Sequence, residues 1–345
     1  MTISSDLPDT APGQAPAIAT ACGKVILFGE HSVVYGEPAL ALPLPPLRLS
    51  VVLAQGQTAF ASTQFDPGED FNGVDTRQRL PALGTTLDEP AAQPLVIDLE
   101  DGAPDDAHAS VSRALGATAA ALDLPVPLPL RVAVRTGGLR SGMGTSAALG
   151  VAMARALLLW HGHRPDRERV LIAAEAVERL FHGNPSGIDH TVSAMEAPLW
   201  FHKGEEPEVL SGLMPLHLVL LRRQSERATS VIVRGVRERL AGDPLLVRTI
   251  ADMGRIAREC RAAWERGDLS NLAAGLSAQQ GALDRLGVVT EGDRAGIEIA
   301  LEAGALAAKI TGAGAGGSLL ALSTEDRAEA IAHAWGEHAL VFVTR

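Results

Sequence analysis

The residues with the clearest capacity for chemistry form a glycine-rich loop, Gly137 to Ser146, that leads directly into an apolar, alanine-rich stretch, Ala147 to Trp160. Glycine lets backbone N–H groups approach a ligand closely, and the first turn of a helix leaves about four N–H groups unpaired. Together these features predict an anion site, most often for phosphate. Because the Gly-Lys-Ser/Thr ending is missing, the loop is not a P-loop. The hydroxyls of Thr145 and Ser146 could also ligate Mg²⁺, which prefers oxygen.

Two other interpretations of this loop fit less well. Residues 142–148 match a degenerate dinucleotide fingerprint, Gly-x-Gly-x-x-Ala, which expects a strand ending in an acidic residue about 20 residues later. Residues 161–166 are instead typical of a loop that opens a helix. A tight strand–helix turn without any ligand is the second alternative, and the adjacent hydroxyls weigh against it.

A second segment, His182 to His190, combines turn-forming residues with an acid. Ser186 could cap a helix that carries Asp189. Glu178 precedes the turn, so the two carboxylates could converge as a metal ligand and a second acid near a reacting hydroxyl. A helix–turn–helix junction without chemistry is the alternative for this segment.

Two more segments concentrate polar groups at the ends of strands. Gly23 to Gly36 is a strand and a polar turn, with Lys24 at its start and Glu30 and His31 at its end. A single histidine is usually structural. Lys309 to Ser318 forms a second glycine-rich loop, which could close over a substrate site or form a simple hairpin turn.

The scarcity of lysine in the chain is a separate reason to consider Lys24. The only lysines are Lys24, Lys203 and Lys309, and arginine supplies the remaining basic residues. A lysine kept in such a chain can be required as a compact ammonium with rotatable donors, although drift explains a single lysine equally well.

Hydrophobic patterning places these motifs on alternating strands and helices, which indicates an α+β protein. Strands are predicted over 24–28, 47–53, 130–136, 216–221, 318–322 and 339–344. Helices are predicted over 108–122, 147–160, 165–181, 229–240, 244–265, 269–284, 291–304 and 325–337. Residues 1–18 have the composition of a disordered tail, and 56–106 that of a long loop or insertion around one or two short strands.

Composition excludes several classes of protein. A net charge of −11 over 345 residues argues against a nucleic-acid or anionic-membrane partner, because both require a basic surface. Cys22 and Cys260 form no metal or disulfide pattern, which favours a reduced, cytoplasmic protein. The N-terminus lacks the features of a secretory signal, and the longest apolar stretch, Leu149 to Trp160, is too short to span a bilayer.

Taken together, the four segments resemble the ordered motifs of the GHMP kinase superfamily and, within it, the mevalonate kinase family. Gly23 to Gly36 is similar to the first motif of that family, and His182 to Asp189 to its His-Gly-Asn-Pro-Ser-Gly-x-Asp signature. The resemblance covers about residues 20 to 345. It implies a two-domain fold, with an S5-like α/β domain over 19–205 and a ferredoxin-like α+β domain over 206–345.

The resemblance also implies an activity, the ATP-dependent phosphorylation of the C5 hydroxyl of mevalonate, and a set of site residues. Asp189 would receive the hydroxyl proton, Lys24 would lower the pKa of that hydroxyl, and Ser146 and Glu178 would hold Mg²⁺. The ATP phosphates would be held by Gly138, Ser141, Gly142, Met143, Gly144, Thr145, Ser146 and Ala147. The substrate would contact Lys24, Glu30, His31, Asp189, Thr229, Gly312 and Ala313.

Departures from the family pattern leave these charged groups in place. Cys22 and Gly138 stand where proline is usual, Thr145 replaces a common serine, and Ala315 and Ser318 replace glycine and cysteine.

Other functions of this superfamily remain open at this stage. Another small-molecule kinase would act on phosphomevalonate, a sugar or homoserine, and a sensor that binds without catalysis is a further alternative. Phosphomevalonate would require more basic residues near the acceptor, which Lys203, Arg222, Arg223 or Arg227 could supply. The resemblance allows a homodimer but does not specify one.

Overall fold

The N-terminal part of the chain forms a mixed sheet. The computed structural model describes residues 15–55, 95–100, 103–140, 142–223 and 229–344. The first sheet contains β1 (Ala17–Phe28), β2 (Ala39–Gln55), β3 (Leu95–Leu99), β4 (Leu130–Arg135), β5 (Leu199–Phe201) and β6 (Glu208–Val209). Its order is β3-β4-β2-β5-β6, with β1 paired to β2. The β3–β4 pair is parallel and the others are antiparallel.

Helices of the same part lie against this sheet: α1 (Ala107–Leu122), α2 (Thr145–Trp160), α3 (Arg167–His182) and α4 (Ile188–Met195). Nearly every side chain of α2 is buried, as an apolar helix between a sheet and other helices must be. Gly150 lets α2 and α3 approach closely, because a Cβ there would lie 3.1 Å from Ala174 Cα and Val177 Cβ. This close approach brings the first turn of α2 beside the end of α3.

The C-terminal part contains β7 (His217–Leu221), α5 (Thr229–Gly242), α6 (Pro244–Glu265), α7 (Leu269–Arg285), α8 (Glu291–Glu302), β8 (Ala307–Ile310), β9 (Leu319–Ser323), α9 (Glu325–Trp335) and β10 (Ala339–Val343). Its four strands are antiparallel in the order β10-β7-β9-β8. A strand, a helical segment, two strands, a helix and a last strand make the ferredoxin-like arrangement. The expected α+β fold is therefore confirmed.

The two sheets share one continuous core. A single hydrophobic cluster runs from the strands of the first sheet through α2 to residues of α6 and α7, including Ile256, Trp264 and Leu276. Trp264 also donates its indole N–H to Met214 O at 2.7 Å, so this large side chain is both packed and hydrogen-bonded. Burial of this kind fixes the two parts against each other, which matters because the site lies between them.

Some boundaries differ from those that the sequence suggested. Strand β1 begins inside the predicted tail 1–18, and β6 extends the first sheet past the predicted domain boundary at residue 205. Helix α3 begins at Arg167 because the Asp166 carboxylate accepts the Arg169 N–H at 2.9 Å, so Pro165 precedes the helix. Strand β8 was not predicted, since four residues carry little periodic signal.

The long predicted loop is described only in part. Strand β3 lies inside the interval 56–106, and residues 56–94, 101 and 102 lie outside the described residues. Among the helices that the structure describes, none combines the length and the apolar character that a bilayer crossing requires.

Candidate active site

Lys24 lies at the centre of the site. The register of β1 against β2 shifts between Cys22 and Gly23, directly before this lysine. Its backbone N–H donates to Met143 O at 2.9 Å. The side-chain ammonium lies 3.1 Å from Asp189 Oδ2 and 3.4 Å from Gly142 O. One cation thus joins the strand, the first glycine-rich loop and α4.

Glycines make room for this lysine at two positions. A Cβ on Gly23 would lie 2.2 Å from Leu139 Cδ2 and 2.9 Å from Met143 O. Gly144 has φ +75° at the N-cap of α2, and a Cβ there would lie 3.1 Å from Lys24 Cγ. The loop therefore lies directly on β1 only because these positions lack side chains. By contrast, nothing lies within 4 Å of the Cβ position of Gly142, so that face of the loop is open to a ligand.

Three polar residues meet where α2 begins and α3 ends. The Ser146 hydroxyl lies 3.0 Å from His182 Nε2, which in turn lies 3.9 Å from Glu178 Oε1. Glu178 is almost completely buried, and its Oε1 has no hydrogen-bond partner among the described residues. Burial, and then the negative charge of Asp189, raise the pKa of Glu178 to about 7. A buried carboxylate with a free oxygen is suited to a cation.

Burial lowers the pKa of the His182 imidazole, which favours its neutral form. Its Nε2 can then accept the Ser146 hydroxyl proton or donate to the hydroxyl oxygen, according to the tautomer. His182 begins the second segment, and no role was predicted for it from the sequence. Its spacing of four residues after Glu178 places both on one face of α3, a signal that could have identified it.

Asp189 lies in the first turn of α4, where the helix dipole favours a carboxylate. Gly187 occupies the N-cap with φ +100°, and its Cβ position lies 3.1 Å from the Phe201 ring. Ser186 therefore does not occupy the predicted cap position, although its hydroxyl accepts the Ile188 N–H at 3.4 Å. The Asp189 side chain keeps 29% of its surface exposed, whereas that of Lys24 keeps 3%.

The second glycine-rich loop lies against the first. The Cβ position of Gly312 lies 3.2 Å from Gly142 O, so the two loop backbones are in contact. His31 Nε2 donates to Ala313 O at 3.1 Å, and burial lowers the pKa of this histidine to about 4. A neutral His31 thus links the turn after β1 to the loop after β8. This placement favours the substrate-site interpretation of the second loop over an isolated hairpin turn.

Glu30, a predicted substrate contact, has a fully buried side chain. Its carboxylate forms an ion pair with Lys309 of β8, and both side chains are fully buried. Gln279 Nε2 donates to its other oxygen at 3.3 Å. Gly29, with φ +103°, turns the chain after β1 so that Glu30 points between the two parts of the molecule. The Glu30 carboxylate is therefore bound by Lys309 and Gln279, and its contact with the substrate stays a prediction.

The remaining predicted residues contribute mainly backbone. Met143 and Ala147 are fully buried, and Thr145 Oγ1 donates to Arg140 O at 2.8 Å within the loop. Ser141 lies outside the described residues, and Thr229 is the first residue of α5, directly after the undescribed residues 224–228. The roles of Ser141 and Thr229 stay predictions.

Comparison with known proteins identifies the family. The family model described as GHMP kinases N terminal domain matches residues 109–197, and that described as GHMP kinases C terminal matches 259–339. Mevalonate kinase from Thermococcus sibiricus is 30% identical over 320 residues, 90% of each chain. Mevalonate kinase from Aeropyrum pernix is 30% identical over 319 residues, 91% of this chain and 90% of the relative.

A solved structure agrees with these relatives at the level of the fold. The crystal structure of L. major mevalonate kinase in complex with R-mevalonate superposes with a TM-score of 0.76 at 21% identity, covering 96% of each chain. The chain belongs to the mevalonate kinase family of the GHMP kinases.

Proposed function

We propose that this protein transfers the γ-phosphoryl group of ATP to the C5 hydroxyl of mevalonate. The observation that carries the proposal is the Lys24–Asp189 pair at 3.1 Å, in contact with a glycine-rich loop that opens a buried helix. The substrate follows from the family, since relatives that match 90% of the chain are mevalonate kinases. The related crystal structure with R-mevalonate supports the same acceptor.

The geometry provides what phosphoryl transfer requires, namely positioning and charge neutralisation. The partly exposed carboxylate of Asp189 accepts the proton of the acceptor hydroxyl. The hydroxyl oxygen forms a bond to the γ-phosphorus as the bond between that phosphorus and ADP breaks. The Lys24 ammonium holds that carboxylate and stabilises negative charge on the acceptor oxygen. Open backbone at Gly142 and the N-terminus of α2 receive the phosphates. His31 and Ala313 border the acceptor from the side of the second loop.

Ser146 and Glu178 are the residues that would hold Mg²⁺. The fit rests on the buried Glu178 Oε1, which has no hydrogen-bond partner among the described residues. Where the chain is described, no group of three or more His, Cys, Asp or Glu side chains could hold a metal. This agrees with Mg²⁺, which commonly uses one or two protein ligands and substrate phosphates. When bound, Mg²⁺ neutralises charge on the β- and γ-phosphates. His182 orients the Ser146 hydroxyl toward this position.

A coupled ADP-release assay tests the proposal. Purified protein is supplied with ATP, Mg²⁺ and, in parallel, mevalonate, phosphomevalonate, galactose or homoserine. We expect turnover with mevalonate alone at a rate well above the ATPase background. Turnover confined to one of the other acceptors would overturn the acceptor while leaving the kinase chemistry in place. Binding of nucleotide without turnover of any acceptor would favour a sensor.

The cellular setting remains part of the proposal. The described cysteines, Cys22 and Cys260, are free and buried, which is consistent with a reducing cytoplasm. A homodimer and the lack of nucleic-acid or membrane partners stay predictions.

A further inference from the structure

Two arginines beside the first glycine-rich loop differ from the other basic residues near the site. Arg223 forms an ion pair with the buried Asp293 and donates to Gly317 O at 3.0 Å. Lys203 is exposed in the turn between β5 and β6. Arg140 and Arg222, in contrast, pair with no carboxylate in the described part of the chain. Among the described residues, no carboxylate therefore neutralises their positive charge.

Both residues are held in place against the loop. Arg140 O accepts the Met143 N–H at 3.1 Å and the Thr145 hydroxyl at 2.8 Å, which fixes its backbone to the start of α2. Arg222 follows β7, and its Nε donates to His338 O at 3.2 Å. Its Nη1 lies 3.1 Å from the Cβ position of Gly138. The glycine at position 138, where the family usually has proline, is thus the residue over which Arg222 lies.

The positive charges of Arg140 and Arg222 repel each other, which is unfavourable without a counter-charge. Burial, and then the charge of Arg140, lower the pKa of Arg222, yet a guanidinium stays charged at neutral pH. The chain as a whole carries a net charge of −11, so this local positive charge is not a general property of its surface. Guanidinium groups bind phosphate oxygens through two parallel N–H donors, which is the pairing that would compensate the repulsion.

We propose that Arg140 and Arg222 form a guanidinium clamp that binds the α- and β-phosphates of the nucleotide. This inference rests on the proposed kinase function. The reacting γ-phosphate must lie beside Asp189 and Lys24, which contact the loop at Gly142 and Gly144. Arg222 lies at the opposite end of the loop, beside Gly138, and Arg140 follows two residues after that glycine. A nucleoside triphosphate extends away from its reacting end, so its inner phosphates reach this position while the acceptor does not.

The test measures nucleotide binding without any acceptor. Isothermal titration with ADP and with adenosine is carried out on the wild type, Arg140→Gln, Arg222→Gln and the double variant. Arg234→Gln is the control, because Arg234 is an exposed arginine of α5. We expect the double variant to bind ADP about 10- to 100-fold more weakly, as expected for lost hydrogen bonds to charged groups, and adenosine as well as the wild type does. The Michaelis constant for mevalonate should not change.

Specific results would overturn the clamp. Unchanged ADP affinity in a double variant with the melting temperature of the wild type would exclude it. Equal weakening of ADP and adenosine would assign the arginines to the nucleoside instead. A higher Michaelis constant for the acceptor at unchanged ADP affinity would assign them to the acceptor. Because these titrations use no acceptor, ADP binding that depends on the clamp would stand even if mevalonate were not phosphorylated.

Discussion

Two lysine–carboxylate pairs stand at the two ends of one short segment, and they differ in their access to solvent. Lys24 pairs with Asp189, whose side chain keeps 29% of its surface exposed. Six residues beyond Lys24, Glu30 pairs with Lys309, and neither side chain has exposed surface. The first pair contacts the first glycine-rich loop at Gly142 O, and the second joins the turn after β1 to β8. The same chemical groups therefore serve two purposes, decided by whether a third group can reach them.

The difference in access sets the energetics of each pair. Removing one member of a fully buried pair leaves a charge that neither water nor another partner can compensate. In the open pair, Lys24–Asp189, the carboxylate keeps 29% of its surface exposed, so water or a ligand can reach Asp189 although Lys24 is buried. The open pair can also exchange a proton with a ligand, whereas the fully buried pair Glu30–Lys309, the sealed pair, cannot. We therefore expect the open pair to control turnover and the sealed pair to control stability.

The largest expected effect comes from breaking the open pair. Asp189→Asn removes the carboxylate that accepts the hydroxyl proton, and Lys24→Met removes the cation that holds that carboxylate. A positioned acid or base is worth roughly 10²–10⁴-fold in rate, so each variant should lose at least that factor in kcat. The measurement is steady-state turnover with ATP and mevalonate, with thermal unfolding as a check that each variant is folded. Near wild-type turnover in either folded variant would contradict the assignment.

Breaking the sealed pair should have the opposite signature. Glu30→Gln or Lys309→Met alone should lower the free energy of unfolding by about 3–5 kcal/mol, because each leaves one buried charge without its partner. The double variant should recover much of that loss, since no uncompensated charge remains. Urea unfolding of the two single variants and the double variant measures this coupling.

A surface pair provides the control for this experiment. Arg255 and Glu259 form an exposed pair on α6, with Nη1 and Oε1 2.8 Å apart, and Glu259→Gln should cost under about 1 kcal/mol. If the Glu30 and Lys309 variants cost no more than this control, the buried pair is not the connection that we infer. The Thr311 hydroxyl accepts the Ile26 N–H and donates to the Ile26 C=O, both at 3.0 Å. These two hydrogen bonds should persist in the double variant.

Local sequence predicted most elements, and the family resemblance implied that Lys24 and Asp189 act at one site, but neither indicated the Glu30–Lys309 pair. Gly142 and Ser146 were found because glycine and hydroxyl residues before an apolar helix have a local meaning. Strand β8 was missed because its four residues carry almost no periodicity. The pairing of Glu30 with Lys309 was missed because the two residues are distant in sequence and only the fold brings them together. Arg140 and Arg222 were not predicted to act together for the same reason. They belong to different parts of the chain, and neither local sequence indicates that the other arginine lies nearby.

The smallest expected effect concerns Glu178, which lies beside the open pair. Glu178 has its pKa raised from 4.5 to about 7 by burial and by the charge of Asp189. An acid whose pKa is higher in the folded state binds more protons folded than unfolded between these values, so its ionisation destabilises the fold as pH rises through that window. Below about pH 4.5 both states are protonated and the penalty is absent; above about pH 7 it is complete.

Glu178→Gln should therefore make the metal-free protein more stable than the wild type at pH 8, by roughly 1–3 kcal/mol, because one pKa unit corresponds to about 1.4 kcal/mol. At pH 4.5 that advantage should nearly vanish. Paired urea unfolding curves of both proteins at the two pH values provide the measurement. An advantage of equal size at both would show that packing, and not ionisation, causes it. A gain in stability combined with a loss of Mg²⁺-dependent turnover would mean that Glu178 serves the chemistry beside the open pair and lowers the stability of the fold. The sealed pair carries no such cost, because both of its charges are paired.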